Sequence, residues 1–199
     1  MIIIINGVPG SGKTTIAHRI ASLLGIDLVI QTDTIKEIFR MHNLPEISYT
    51  NTHEAWKFIS SEKTSNTVIA GFRKHAEFYE RYISKLAEVC HEKKHIIIEG
   101  VQATPKLFDM IKSDEKMGFY LKIPEKEEHL GRFELKNLMR REKNSKWYAN
   151  YNSITLIEEH LLKLAENSGF KIINNNSIDE TIVKIISSIK GEKNEPNRL

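Results

Sequence analysis

Cysteine is almost absent: Cys90 is the only one in 199 residues. An intramolecular disulfide is excluded, and a reducing compartment is the expected setting. Long apolar runs are missing as well. The first run, Ile2–Ile5, has no basic segment ahead of it and reads as a core strand, not a signal peptide. No stretch approaches the length of a membrane span, so a cytoplasmic protein is expected. Charge of one sign is scarce too: 29 Lys and Arg against 26 Asp and Glu leave a net +3. That balance suits a small anionic ligand and falls short of the clustered basic footprint of a nucleic-acid binder. No internal repeat or linker divides the chain. One α/β domain over residues 1–190 is expected, followed by a polar, Pro-containing and frayed 191–199.

What is present alternates. Apolar β-branched runs recur at Ile2–Ile5, Leu28–Ile30, His95–Ile98, Gly118–Ile123 and Lys171–Ile173, at intervals too long for hairpins. Helical periodicity fills the gaps. Ile69, Phe72, Ala76, Tyr79, Ile83 and Leu86 keep a spacing of three or four within Ser65–Cys90. Another helix begins at Ser153 and stops before Gly169, and S-x-x-E at 177–180 opens a last one to about Lys190. The pattern predicts a five-stranded parallel sheet with helices on both faces. Two segments fit it poorly. Residues 34–64 carry a helix signal, a break at Pro45 and a mixed stretch, and residues 125–150 are dense in charge.

Residues 7–14 read Gly-Val-Pro-Gly-Ser-Gly-Lys-Thr, a full G-x-x-x-x-G-K-[ST] phosphate loop between a strand and a helix. In that context successive backbone N–H groups and the helix N-terminus face the phosphates. Gly7, Gly10, Ser11, Gly12, Lys13, Thr14 and Thr15 are therefore the nucleotide-binding candidates. Lys13 reaches the β- and γ-phosphates and the Thr14 hydroxyl ligates Mg²⁺. A nucleoside triphosphate is the expected ligand.

Ligands of open parallel sheets bind beyond the carboxyl ends of the strands. Asp33, just past the second strand, lies where a carboxylate can take the proton of an acceptor hydroxyl. Its plainer role is the N-cap of a helix Thr34–Arg40. Glu99 closes an Ile-Ile-Ile run, the place of an acid that holds a Mg²⁺ water; fixing a neighbouring loop is the alternative. Asp33 is a candidate for the same water-mediated role. Lys36 and Arg40, four apart, share a helix face that offers positive charge to an anionic acceptor, or form an ordinary surface pair. Arg132, Arg140 and Arg141 follow a strand end and mark 125–150 as a lid; a solvated charged helix is the competing reading. Residues 34–64 are the matching acceptor-capture segment. His91-Glu92-Lys93-Lys94-His95 spells a zinc-protease signature, but His95 opens a strand, so the two rings are expected to diverge.

Taken in order, the loop, Thr32-Asp33-Thr34-Ile35-Lys36-Glu37-Ile38-Phe39-Arg40, Gly71-Phe72, Ile97-Ile98-Glu99-Gly100-Val101, His129-Leu-Gly-Arg132-Phe133, Lys146-Trp-Tyr148, Ile154 and Ile173-Asn174 resemble the P-loop kinases typified by archaeal 2-phosphoglycerate kinase. Zeta-toxin-like kinases are more distant. The resemblance implies a three-layer α/β/α sandwich with strand order 2-3-1-4-5. It also implies ATP- and Mg²⁺-dependent transfer of the γ-phosphoryl group to a hydroxyl of a small acid or phospho-compound. Asp33 would then be the base, Lys13 and the lid arginines would stabilise charge, and Glu99 would act near metal or substrate. By fold analogy the adenine rests near Asn174–Ser177. The chain departs from the family at Lys36, where arginine is usual, and at Gln102, where histidine is common. It also lacks the additional N-terminal nucleotide-binding region of some members. A polynucleotide 5′-kinase and a nucleotide-switch ATPase remain the alternatives.

Overall fold

Every residue of Ile2–Asn6 is buried, which a strand achieves only with a helical layer on each face. In the computed structural model, which describes residues 1–92, 94–140 and 146–194, this strand (β1) is the middle of the sheet. The others are β2 (Leu28–Gln31), β3 (Ile96–Glu99), β4 (Lys116–Lys122) and β5 (Phe170–Asn174). All pair in parallel, in the order β2-β3-β1-β4-β5, as the family resemblance implied. Ile3 lies opposite Ile97 on one side and Met117 on the other.

The period-two alternation of β1 decides which layer each isoleucine joins. Ile2 and Ile4 enter a core with Phe72, Tyr79 and Ile83 of α3 (Ser65–His91) and Ile154, Ile157 and Leu161 of α7 (Tyr151–Glu166). Ile3 and Ile5 enter the opposite core, with Ile16 and Ile20 of α1 (Lys13–Leu24) and Ile182 and Ile185 of α8 (Ile178–Asn194). The short α4 (Pro105–Met110) joins the first layer through Leu107. Among the described residues no helix is long and apolar enough to cross a membrane.

Three boundaries depart from the sequence reading. Helix α2 spans Thr32–Met41 with Gln31 at its N-cap, so Asp33 sits inside the first turn and does not cap it. Helix α7 starts at Tyr151, before Ser153. Helix α8 continues to Asn194, so residues 191–194 of the expected tail are helical, while 195–199 lie outside the described residues. Propensity is a weak guide to the last turn of a helix, because capping and packing decide it.

The two irregular segments lie over the carboxyl edge of the sheet. Residues 46–48 and 52–58 form short 3₁₀ turns that dock on α3. Gly71 permits the approach: a Cβ there would stand 2.4 Å from the Trp56 nitrogen. On the other side, α5 (Lys126–Arg140) and α6 (Lys146–Ala149) cover the phosphate loop. Phe133 of α5 is fully buried and stacks on Trp147 of α6, with ring centroids 5.7 Å apart.

Candidate active site

The loop between β1 and α1 turns through left-handed glycines at Gly10 (φ 85°) and Gly12 (φ 84°), conformations that side chains resist. Space is as restrictive as torsion. A Cβ on Gly10 would lie 2.9 Å from the Phe133 ring, and one on Gly12 would lie 2.8 Å from Asn175 Nδ2. The loop is thus clamped by α5 on one side and the end of β5 on the other. Asn175 is fully buried; its Nδ2 donates to Ser11 O at 2.7 Å and its Oδ1 accepts from Thr181 Oγ1 at 2.8 Å. His129 Nε2 donates to Pro9 O at 2.7 Å. Because that carbonyl can only accept, Nε2 carries the proton, and burial holds the ring below its ordinary pKa.

Lys13 is only 8 % exposed, and its Nζ donates to Val8 O at 2.9 Å. Burial lowers its pKa from 10.5 to about 8; Glu99 and Asp33 oppose the fall, and the like charge of Lys136 adds to it. The Thr14 hydroxyl donates to Glu99 Oε1 at 2.8 Å, and Glu99 is itself buried. A hydroxyl and a carboxylate paired at the helix start are the hard oxygen donors that Mg²⁺ takes alongside phosphates. The glycine turns and the buried ammonium fit the phosphates themselves.

Two cavities open from this point. One, of ≈ 500 Å³, is lined by Asp33, Lys36, Asn51, His53, Glu99 and Gln102 among others. The second, of ≈ 1020 Å³, runs over Gly10, Gly12 and Thr15 to Arg132, Leu135, Asn176 and Ile178. Lys13, Thr14, Asp33 and Lys136 line both. The first volume suits a small molecule.

A buried hydrogen-bond chain supports the smaller cavity from behind. Thr32 Oγ1 donates to Gln102 Oε1 at 2.7 Å, and Gln102 Nε2 lies 3.0 Å from His75 Nε2. The amide nitrogen can only donate, so His75 Nε2 accepts and its Nδ1–H donates to Ile47 O at 2.6 Å. Tyr79 adds a bond to Ser48 O at 2.7 Å. Burial holds His75 neutral, with its pKa down to about 4. The chain ties the start of α2, and so Asp33, to the 46–48 turn. Gly100 completes it by close approach: at φ 150°, a Cβ there would fall 1.8 Å from Thr32 Oγ1.

The structure brings Lys13, Thr14, Asp33, Lys36 and Glu99 together around the smaller cavity. Lys36 Nζ also donates to Asn51 Oδ1 at 3.3 Å. Arg40 is not part of that lining. It pairs with Glu37 and lies over the Tyr49 ring, 5.4 Å from its centroid. Residues four apart on a helix share a face only approximately, and here Lys36 and Glu37 line the cavity while Arg40, one turn on, lies outside it. Arg132 faces the larger cavity, with its guanidinium on Glu128 and on Asn175 O. Arg140 closes α5, and Arg141 lies outside the described residues. Asn174, expected near the adenine, is exposed at the end of β5; of the residues after it, Asn175 braces the loop and Asn176 lines the larger cavity.

Sequence reasoning missed Lys136 and the Gln102–His75 pair. Neither carries a motif, and only the meeting of α5, α3 and the β3 end makes them neighbours. The expected divergence of His91 and His95 is also corrected. Both Nδ1 atoms face the Met1 nitrogen, at 3.2 and 2.8 Å.

Comparison with known proteins agrees with this geometry. The chain is 32 % identical to the 2-phosphoglycerate kinase of Methanopyrus kandleri, over 97 % of this chain and 63 % of that protein. It is 29 % identical to that of Methanocaldococcus jannaschii, over 95 % of this chain and 63 % of the relative. The chain thus spans less than two thirds of the length of these relatives. Among solved structures, shikimate kinase from Acinetobacter baumannii in complex with shikimate shares the fold, with a TM-score of 0.56 at 16 % identity over 98 % of this chain and 95 % of that one. Residues 3–152 match the AAA-domain family model, and with the phosphate loop inside that span the chain belongs to this nucleotide-using family.

Proposed function

We propose that the chain is an ATP- and Mg²⁺-dependent kinase that transfers the γ-phosphoryl group to a hydroxyl of a small anionic acceptor, 2-phosphoglycerate or a close analogue. The observation that carries this reading is the smaller cavity. It lies beyond the phosphate loop and has the Asp33 carboxylate at the junction with the nucleotide side. A switch that only hydrolyses ATP has no need of a separate polar chamber there, and ≈ 500 Å³ suits a small acid better than a polynucleotide end. The names of the archaeal relatives supply the acceptor.

In this mechanism Asp33 accepts the proton of the acceptor hydroxyl as its oxygen bonds to the γ-phosphorus. The bond from that phosphorus to the β–γ bridging oxygen breaks, and ADP leaves. Lys13 follows the charge onto the departing phosphate, and Lys36 holds the anionic end of the acceptor. Thr14, with Glu99 and Asp33 through water, would hold Mg²⁺, which neutralises phosphate charge when bound. Residues 34–64 capture the acceptor and 125–150 act as the lid, with Arg132 on the nucleotide side, in one unit over residues 1–190. On composition, with Cys90 alone, the setting is a reducing cytoplasm.

The test is ADP release with Mg²⁺ against hydroxylated acids and phospho-acids, including 2-phosphoglycerate, with a 5′-hydroxyl oligonucleotide as a further arm. Asp33→Asn should lower acceptor-dependent turnover about 10²–10⁴-fold and leave Mg·ATP binding intact. Turnover that is indifferent to Asp33, or hydrolysis without any acceptor effect, would refute the reading.

A further inference from the structure

Among the described residues four line both cavities, and chemistry accounts for three of them: Lys13 for phosphate charge, Thr14 for the metal and Asp33 for the proton. The fourth is Lys136 of α5. Its ammonium lies over the Trp147 ring, 4.8 Å from the centroid. Trp147 is 6 % exposed and stacks on Phe133, whose edge would meet a Cβ on Gly10. The ammonium therefore rests on an aromatic platform anchored to the phosphate loop itself, an arrangement that limits its freedom. The Arg132 guanidinium, on Glu128 and on Asn175 O, lines the nucleotide side and not the smaller cavity.

We propose that Lys136 is a catalytic residue that meets the transferring phosphoryl group from the acceptor side, opposite Lys13. This rests on the kinase reading above and adds a residue to it. Two ammonium groups facing one junction repel each other, and the influence of Lys136 on Lys13 shows that they sense one another. A multiply charged group between them removes that repulsion, and the junction is where the phosphoryl group carries its charge as it passes between oxygens. Trp147 is the positioning residue: its ring holds the ammonium and fixes its reach without touching the reacting atoms.

The experiment uses Lys136→Met, which keeps an unbranched apolar side chain and removes the charge, and Lys136→Arg, which restores a cation. Lys136→Met should reduce kcat about 10²–10³-fold with little change in KM for ATP, and Lys136→Arg should recover most of the loss. A binding arm needs no turnover. Calorimetry compares Mg·ADP alone with Mg·ADP plus aluminium fluoride, a mimic of the phosphoryl group in flight. The wild type should bind the fluoride complex more tightly than Mg·ADP. Lys136→Met should lose that gain while binding Mg·ADP as before. A kcat within about threefold of wild type, or an intact fluoride gain, would overturn the proposal. Parallel losses in Mg·ADP affinity and melting temperature would overturn it too, because they mark a structural role. If the wild type releases no ADP in response to any acceptor, the kinase reading fails on its own, and the fluoride arm still decides for or against Lys136.

Discussion

Replacing Lys13 by methionine should make the nucleotide-free protein more stable at neutral pH while abolishing phosphoryl transfer. The ammonium is buried in the loop floor, and its pKa falls from 10.5 to about 8. That drop corresponds to about 3 kcal/mol of disfavoured charge at 1.36 kcal/mol per decade. Methionine matches the stem and carries no charge, so the penalty disappears. What is lost is the bond to Val8 O at 2.9 Å, with a charged-donor bond contributing about 1.5–3 kcal/mol. The balance is a net gain of up to about 1.5 kcal/mol at pH 7, or up to about 6 °C in Tm for a chain of this size. The pH dependence gives the sharper test. Between pH 8 and 10.5 the unfolded lysine is still protonated while the folded one has lost its proton, so wild-type stability rises with pH across that window relative to the variant. By pH 10 the wild type should have recovered most of the 3 kcal/mol and become the more stable of the two. Thermal denaturation of both proteins without nucleotide at pH 7 and pH 10 measures the crossing. A variant less stable than wild type at pH 7, or parallel profiles, would refute the reasoning.

Other expectations follow from the supporting hydrogen-bond chain. Gly100→Ala drives a Cβ to 1.8 Å from Thr32 Oγ1; overpacking together with the lost bond to Gln102 should cost about 2–4 kcal/mol, seen as a Tm lower by several degrees. His75 is held neutral with its pKa down to about 4, so the unfolded chain binds the extra proton as pH falls from about 6.5 to 4. Stability should drop by up to about 3 kcal/mol over that window, and His75→Gln should flatten that segment in urea titrations at pH 7, 5.5 and 4.

The sequence alone determined the features that depend on neighbours along the chain. Four consecutive isoleucines before G-x-x-x-x-G-K-T can only be a strand buried on both faces that feeds a phosphate loop, because both periodicity and loop chemistry are local. Gly25 marks the end of α1 for the same reason, and its φ of 65° is the left-handed turn glycine favours. Asp33 and Glu99 were legible as neighbours of the phosphate loop, and both line the smaller cavity, because a parallel sheet sends every strand end to the same edge. The strand order needed the family resemblance, since nothing local says which strand lies beside which. Tertiary structure decided the rest. It turned Arg40 away to Glu37 and Tyr49, made Asn175 a brace of the phosphate loop, and joined Thr32, Gln102, His75 and Ile47 across three elements. It also placed Lys136 where the two cavities meet. Those positions come from how helices pack on the sheet, and packing joins residues that are 70 or 120 apart in sequence, as in Thr32–Gln102 and His129–Pro9.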